Sequence, residues 1–505
     1  MKTNVKNLFL LPSFIAFFSL MFCAPMEAQT FCTLHAFSSG TSIVRVGTAN
    51  SDGALPIGGL ILSGNTLYGA TQTGGPNATG TVFAINTDGT GFITLHNFGE
   101  WPGTVPNMNS DGCRPTGGVV LSANTLYGTA QFGGAQCEGT VFAVNTDGTG
   151  FSTLHSFSTA ILDTNTYGGD AEELNTNSDG YNPAAGVIVS GNTLYGTAEY
   201  GGLAGTGTVF AVNTDGTGFR TLHSFGPIYW NGDLGSPLST NTDGAYPTGA
   251  LVLSGNRLYG ASGGGPFAYG TIFAVNTDGT DFTILWECDG GDLVGPTAPL
   301  LLYGNTIYGA GGGGSYGTVF AINTDGTGFT CQPLSGSNGP TGPLGLMLSG
   351  RTLYGTTPAT VFAINTNWSD CTTLYTFTNS FDGDSPQPKC GLILSGTTLY
   401  GTTWYGGTSG NGTVFSLSFP SPQINITCSA TSLSTNVNLT WSTVLDGFYG
   451  GLTLQSTRNL KPPVVWSPVS QAPVLNNIWA RCMSNGLCIV TNCITGPQQF
   501  YQLSQ

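Results

Sequence analysis

Histidine is the first side chain to test for chemistry, because it titrates near neutrality and can act as base or metal ligand. The 505-residue chain has four, His35, His96, His155 and His223, each closing a Thr-Leu-His tripeptide. Later copies of that tripeptide end in Trp286 and Tyr375. A position that accepts imidazole, indole or phenol is filling packing space, so neither a His-based triad nor a His metal site is expected, and no catalytic residue is assigned. Carboxylates are the next candidates. Asp163, Asp170, Glu172, Glu173, Asp179, Asp233 and Asp243 fall in two long connections, roughly 158–184 and 226–248. Such clusters could bind calcium or supply a general acid and base for a sugar substrate. Asp52, Asp111, Asp179 and Asp243 each precede glycine, which gives them the simpler reading of turn formers.

Aromatic side chains offer recognition instead of catalysis. Phe132, Tyr200, Tyr269, Trp404 and Tyr405 lie in or beside glycine-rich loops, and Trp230 lies in a long connection. Their faces can stack on sugar rings or anchor a protein partner, with packing between structural units as the competing role. The 12 cysteines contain no CxxC pair, which disfavours zinc. Cys113 and Cys137 sit in connections expected at the same end of the fold, so a bridge is expected. Cys428, Cys482, Cys488 and Cys493 could form two more, with three pairings open.

The elements that must position these groups come from a tandem repeat. Its tyrosine recurs at Tyr68, Tyr127, Tyr195, Tyr259, Tyr308, Tyr354 and Tyr400. In the first unit the short apolar runs predict strand A over Gly59–Leu62, B over Thr66–Thr71, C over Thr81–Asn86 and D over Phe92–Phe98. Asp88, Asp147, Asp215, Asp278 and Asp325 recur in Asp-Gly between C and D, the chemistry of a tight turn. Seven four-stranded units predict a seven-bladed all-β propeller. The seventh unit stops at its strand C, Gly412–Ser418, while Phe31–Phe37 matches a lone strand D at the other end. Pairing the two would close the ring and remove its open edges.

The motifs LSGNTLYG, GTVFAVNTDGTGF and TLHSF, recurring in fixed order over about 31–418, resemble the GloVer (choice-of-anchor) tandem repeats of exported bacterial proteins. That resemblance implies export and a propeller-like array, and it transfers no catalytic residue. Unit six departs from the pattern by lacking the Gly-Gly loop. Independently, Lys2 and Lys6, the apolar run Leu8–Phe22 and the small Ala24 and Ala28 read as a signal peptide. The expected organisation is therefore a signal peptide over 1–28, a propeller over 29–420 and a small β-sandwich-like domain over 421–505. The expected location is secreted or cell-surface, with no transmembrane segment in the mature chain.

Composition narrows the partners. Charged residues are 7% of the chain, glycine numbers 78 and the formal charge is -15. Glycine in this quantity suits tight turns and opposes helix, and the acidic balance argues against nucleic acid. The reading is a monomeric, non-catalytic binding or surface-interaction module for polysaccharide or an envelope protein, with no cofactor beyond an open option on calcium. The competing classes are a glycoside-hydrolase-like enzyme working through acidic loop residues and a structural envelope scaffold.

Overall fold

The computed structural model describes residues 29–419 except 44–46, 101–108, 163–174, 231–238, 266–268, 292, 297, 313–316, 335–344 and 378–386, and beyond 419 only strand backbone between 424 and 504. Among the described residues every regular element is a strand, and no helix is long and apolar enough to cross a membrane. Seven antiparallel four-stranded sheets make a seven-bladed β-propeller. In the first blade B and C fall at Thr66–Thr71 and Thr81–Asn86, as predicted, whereas A is Ile61–Ser63 and D is Ile93–Asn97. Strand D begins one residue later than expected, and Phe92 packs across the blade boundary, as described below.

The ring closes through its own N-terminus. Thr30–Ala36 pairs antiparallel with Thr413–Ser418, with Thr30 opposite Ser418 and Ala36 opposite Thr413. The closing blade thus reads D, C, B, A with its outermost strand supplied from the start of the chain.

Strands B and C are buried on both faces, which is why they read as continuous apolar runs and not as alternation. The cores lie between blades. Tyr68, Val82, Leu95 and Phe98 of the first blade pack with Leu126, Phe142 and Val144 of the second. Phe142 is fully buried, a contribution of about 2–3 kcal/mol. The glycine of the Leu-Tyr-Gly motif makes room for it: a Cβ on Gly128 would stand 2.6 Å from Phe142 Cζ. Beyond residue 419 there are two more sheets. One runs Ile424–Thr431, Ser434–Ser442, Leu487–Cys493, Trp479–Cys482; the other runs Ser467–Pro468, Thr453–Thr457, Phe500–Ser504.

A second seam runs outside these cores. The ring closing each Thr-Leu-His lies flat on a phenylalanine of the next blade: His155 on Phe219 at 3.6 Å and 8°, His35 on Phe92 at 3.8 Å and 7°. Trp286 stacks likewise on Phe329, and Tyr375 on Phe31. The packing role expected from residue exchange is therefore present. The histidines also hydrogen-bond a carboxylate. His35, His96, His155 and His223 each place Nε2 3.0 Å from a carboxylate oxygen of Asp52, Asp111, Asp179 and Asp243 respectively. The turn-former reading of those four aspartates is corrected here: their carboxylates serve the histidine and the start of the next connection, while the turn itself is held by asparagine. Asn177 shows how, accepting from Gly180 N–H and Gly202 N–H and donating to the carbonyls of Ser158 and Gly180.

Candidate functional site

The connection from D to the next A carries Asn-(Ser/Thr)-Asp-Gly, two further residues and a proline in four blades. The residue before that proline is left-handed in each: Leu55 at φ 57°, Arg114 at 55°, Asn182 at 60° and Tyr246 at 56°. Non-glycine residues occupy this region at a cost, and persist there when the surroundings over-determine them. Here an inter-blade latch does so. The amide of Leu55 donates to Asn411, that of Arg114 to Thr79, that of Asn182 to Glu138 and that of Tyr246 to Thr206, each carbonyl belonging to the B-to-C loop of the preceding blade. The carbonyls of Leu55, Arg114 and Asn182 accept from Gln72, Gln131 and Glu199, the residues just after strand B, and Gln387 accepts likewise from Trp404.

This repeated backbone holds side chains that do not repeat. Leu55 sits with Gln72, Arg114 with Gln131, Asn182 with Glu199 and Gln387 with Trp404. Within them lies an axial cavity of about 550 Å³, lined by residues of six blades that include Gln72, Thr116, Gln131, Thr248, Lys389 and Leu392. Positions of fixed geometry and variable chemistry around a cavity are where a repeat scaffold can place recognition without disturbing its core.

Two sectors of the rim are built up. On the third blade Tyr200 stacks on Tyr181 at 5.5 Å and 26° and meets Tyr246 at 5.4 Å and 59°. Burial pushes the Tyr200 hydroxyl up to about 12, helped by the neighbouring Glu199. Burial also raises Glu199 against an opposing hydrogen bond with Tyr200, and raises Glu138 against one from the Ala160 amide. Asn182 Nδ2 donates to Glu199 at 3.3 Å, while its buried Oδ1 has no partner among the described residues. On the seventh blade the Lys389 ammonium stands 3.2 Å from the centre of the Trp404 ring, which also meets Tyr405 at 4.3 Å. Burial lowers the Lys389 pKa.

The expected binding residues divide accordingly. Phe132, Tyr200, Trp404 and Tyr405 lie in the B-to-C connections of their blades, outside the residues that line the cavity, with Phe132 under the Arg114 guanidinium at 5.6 Å. Tyr269 is used in packing, against the core between the fourth and fifth blades. Trp230 is in a two-residue strand, Tyr229–Trp230, paired with Ser239–Thr240; its side chain lies outside the described residues, as do Asp163, Asp170, Glu172, Glu173 and Asp233. Asp179 and Asp243 are committed to histidines. Among the described residues no three His, Cys, Asp or Glu side chains are grouped to hold a metal ion. Arg114, Glu138, Glu199 and Lys389 were not singled out from the sequence. Their signal is positional: they flank the proline, follow strand B or close the B-to-C loop just before strand C, places where otherwise similar units differ.

The expected bridge between Cys113 and Cys137 is corrected: both are free thiols. The register sets Cys113 against Phe132 and not against Cys137, and burial pushes the Cys113 thiol up to about 12. In the terminal sheet Cys482 lies directly opposite Cys488, Cys493 opposite Asn436 and Cys428 opposite Val437.

Fold and rim together define a seven-bladed propeller with a sequence-variable ring about an axial cavity. The Gloeobacter/Verrucomicrobia repeat model matches residues 25–159, 107–310 and 163–360, more than half of the chain. The chain belongs to that repeat family. No curated protein matches it. Among solved structures it is similar to an oligogalacturonate lyase from Vibrio parahaemolyticus, with 11% identity, TM-score 0.45, and 78% of this chain and 97% of that one covered. It is also similar to a puromycin-hydrolyzing peptidase of Mycobacterium tuberculosis, with 11% identity, TM-score 0.44, and 81% and 61% covered. A chain of a nidogen/laminin complex gives 15% identity, TM-score 0.36, and 62% and 94% covered. These likenesses carry no activity over to this protein.

Proposed function

We propose that this protein is an exported binding or surface-interaction propeller that takes a polysaccharide or an envelope protein on the rim of its axial cavity. The observation that carries the reading is the ring itself: one latched backbone, repeated blade after blade, presenting Arg114, Gln131, Asn182, Glu199 and Tyr246 in turn. Aromatic faces beside amide and carboxylate groups are the usual chemistry of sugar recognition. In an oxidising compartment Cys482 and Cys488, opposite in register, would form a bridge. The organisation proposed is a signal peptide over 1–28, the propeller to 420 and a terminal β-domain after it.

The test is a glycan array probed with the exported chain, with calcium and again with a chelator, beside Tyr200→Ala. Selective binding that drops tenfold or more in the variant is expected. A negative array with folded protein would move the reading to a protein partner or a scaffold. One observation favours a catalytic reading: burial raises both Glu138 and Glu199 beside a tyrosine row, the condition a carboxyl group needs to act as general acid. Release of reducing ends from a polysaccharide panel, abolished in Glu199→Gln, would establish it.

A further inference from the structure

The side chains around the axial cavity are unbalanced in hydrogen-bonding character. Lys389 is the only charged side chain lining it among the described residues. Its ammonium has three N–H donors. One side is covered by the Trp404 ring, and among the described residues no carboxylate or other oxygen accepts from it. Burial lowers its pKa, with no charged group of the described residues acting beside it. Among the described residues the hydroxyl of Thr248, which lines the cavity from the fourth blade, is buried without a partner, and so is Trp404 Nε1, a donor only, on the residue that covers the Lys389 ammonium. Buried donors without acceptors cost free energy until something supplies the acceptor.

The rest of the lining explains the size and shape of what could supply it. Gly58, Gly117, Ala185, Gly186 and Ala250 present little beyond backbone, so the floor is smooth, and about 550 Å³ is room for a ring of monosaccharide size or a little more. In a chain of formal charge -15, a cation lining the cavity with no carboxylate of the described residues beside it is also the local exception to a field that repels anions.

We propose that the axial cavity binds a carboxylate-bearing ligand, with the acid group against Lys389 and the remainder over the glycine and alanine floor. This rests on the binding reading above and gives it a ligand class. The carboxylate could come from a uronic acid unit of a polysaccharide or from a small free acid, and the two sources are separable. Lys389 supplies a point charge, which selects a negative group without the bidentate geometry an arginine would impose. Trp404 fixes the ammonium from one side.

The experiment is titration calorimetry on the full exported chain with glucuronic acid, a short oligoglucuronide, glucose and acetate, each in low and high salt. The expected result is that an acid binds at least tenfold more tightly than glucose, weakens as salt rises, and loses at least tenfold in Lys389→Gln while Lys389→Arg retains most of it. Binding of the uronides without acetate would assign the source to the polysaccharide; acetate binding that also depends on Lys389 would assign it to small acids. Equal binding of glucose and glucuronic acid, or an unchanged affinity in folded Lys389→Gln, would overturn the proposal. Array binding that depends on Tyr200 but not on Lys389 would leave the rim reading standing while this one fell. If Lys389→Gln does not fold, the salt dependence and the glucose comparison on the natural chain decide.

Discussion

The tetrapeptide Asn-Thr-Asp-Gly occurs at 213–216 and again at 241–244, with the same letters and opposite uses. Both glycines are left-handed, at φ 83° and 94°. In the first copy Asp215 is fully exposed and accepts from the Thr217 amide at 2.9 Å and its hydroxyl at 2.7 Å, capping the C-to-D turn of its own blade. In the second, Asp243 accepts from His223 Nε2 at 3.0 Å and from the Gly226 amide, while Asn241 accepts from Gly244 and Gly265. The outer copy is spent on itself and the inner copy ties three segments together. Local preference makes the turn in both places; what the carboxylate does there is decided by which segment arrives beside it.

The largest effect should come from replacing the inner glycine. A Cβ on Gly244 would meet the Ser262 and Thr271 hydroxyls, the latter at 2.6 Å, on a backbone that already disfavours one. Gly244→Ala should cost about 2–4 kcal/mol, and Gly216→Ala, whose Cβ would stand 2.9 Å from the Leu154 carbonyl oxygen, less, about 1–2 kcal/mol. Urea midpoints of the two variants check this, and equal shifts would break the comparison. Next, Asp179→Ala removes the partner of His155 and of the Ser158 amide and hydroxyl. It should cost about 2–3 kcal/mol, since buried donors lose their acceptor. Asp215→Ala, at an exposed turn, should move the midpoint far less.

His155 separates stacking from hydrogen bonding. His155→Phe keeps a ring on Phe219 and loses the bond to Asp179, whereas His155→Ala loses both. The alanine variant should be the less stable by about 1 kcal/mol, the contribution of an aromatic pair. A phenylalanine variant as unstable as alanine would show that the bond to Asp179 is the dominant contact.

The smallest effect is on acid stability. Burial alone would raise the carboxyl groups of Asp52 and Asp179, but hydrogen bonds from His35 and Ser38, and from His155 and Ser158, outweigh it and leave both below the usual range. A carboxyl lowered by folding contributes stability above its unfolded pKa, about 3.8–3.9, and loses it as pH falls through the lower folded value. Thermal midpoints should therefore drop below about pH 4, and Asp179→Asn should flatten that drop. A drop as steep in Asp179→Asn as in the natural chain would remove the inner aspartates from the account.

Much of the architecture is legible in the letters because it rests on local rules. The pattern of Thr66–Thr71 and Thr81–Asn86 states two central strands, the seven tyrosines count the blades, and FCTLHAF at the start matches the strand missing at the end. The histidines could be placed in packing because tryptophan and tyrosine replace them in register. The sequence alone determined these features, since strand periodicity, Asp-Gly turns and repeat spacing act over a few residues. Only the tertiary structure decided that His155 meets Asp179 twenty-four residues on, that Cys113 faces Phe132 and not Cys137, and that Gln72, Gln131, Thr248 and Lys389 line one cavity. Those groups sit in connections of unequal length and on different blades. Their meeting depends on the closed ring that brings six blades to a common axis, a geometry that no short stretch of chain encodes.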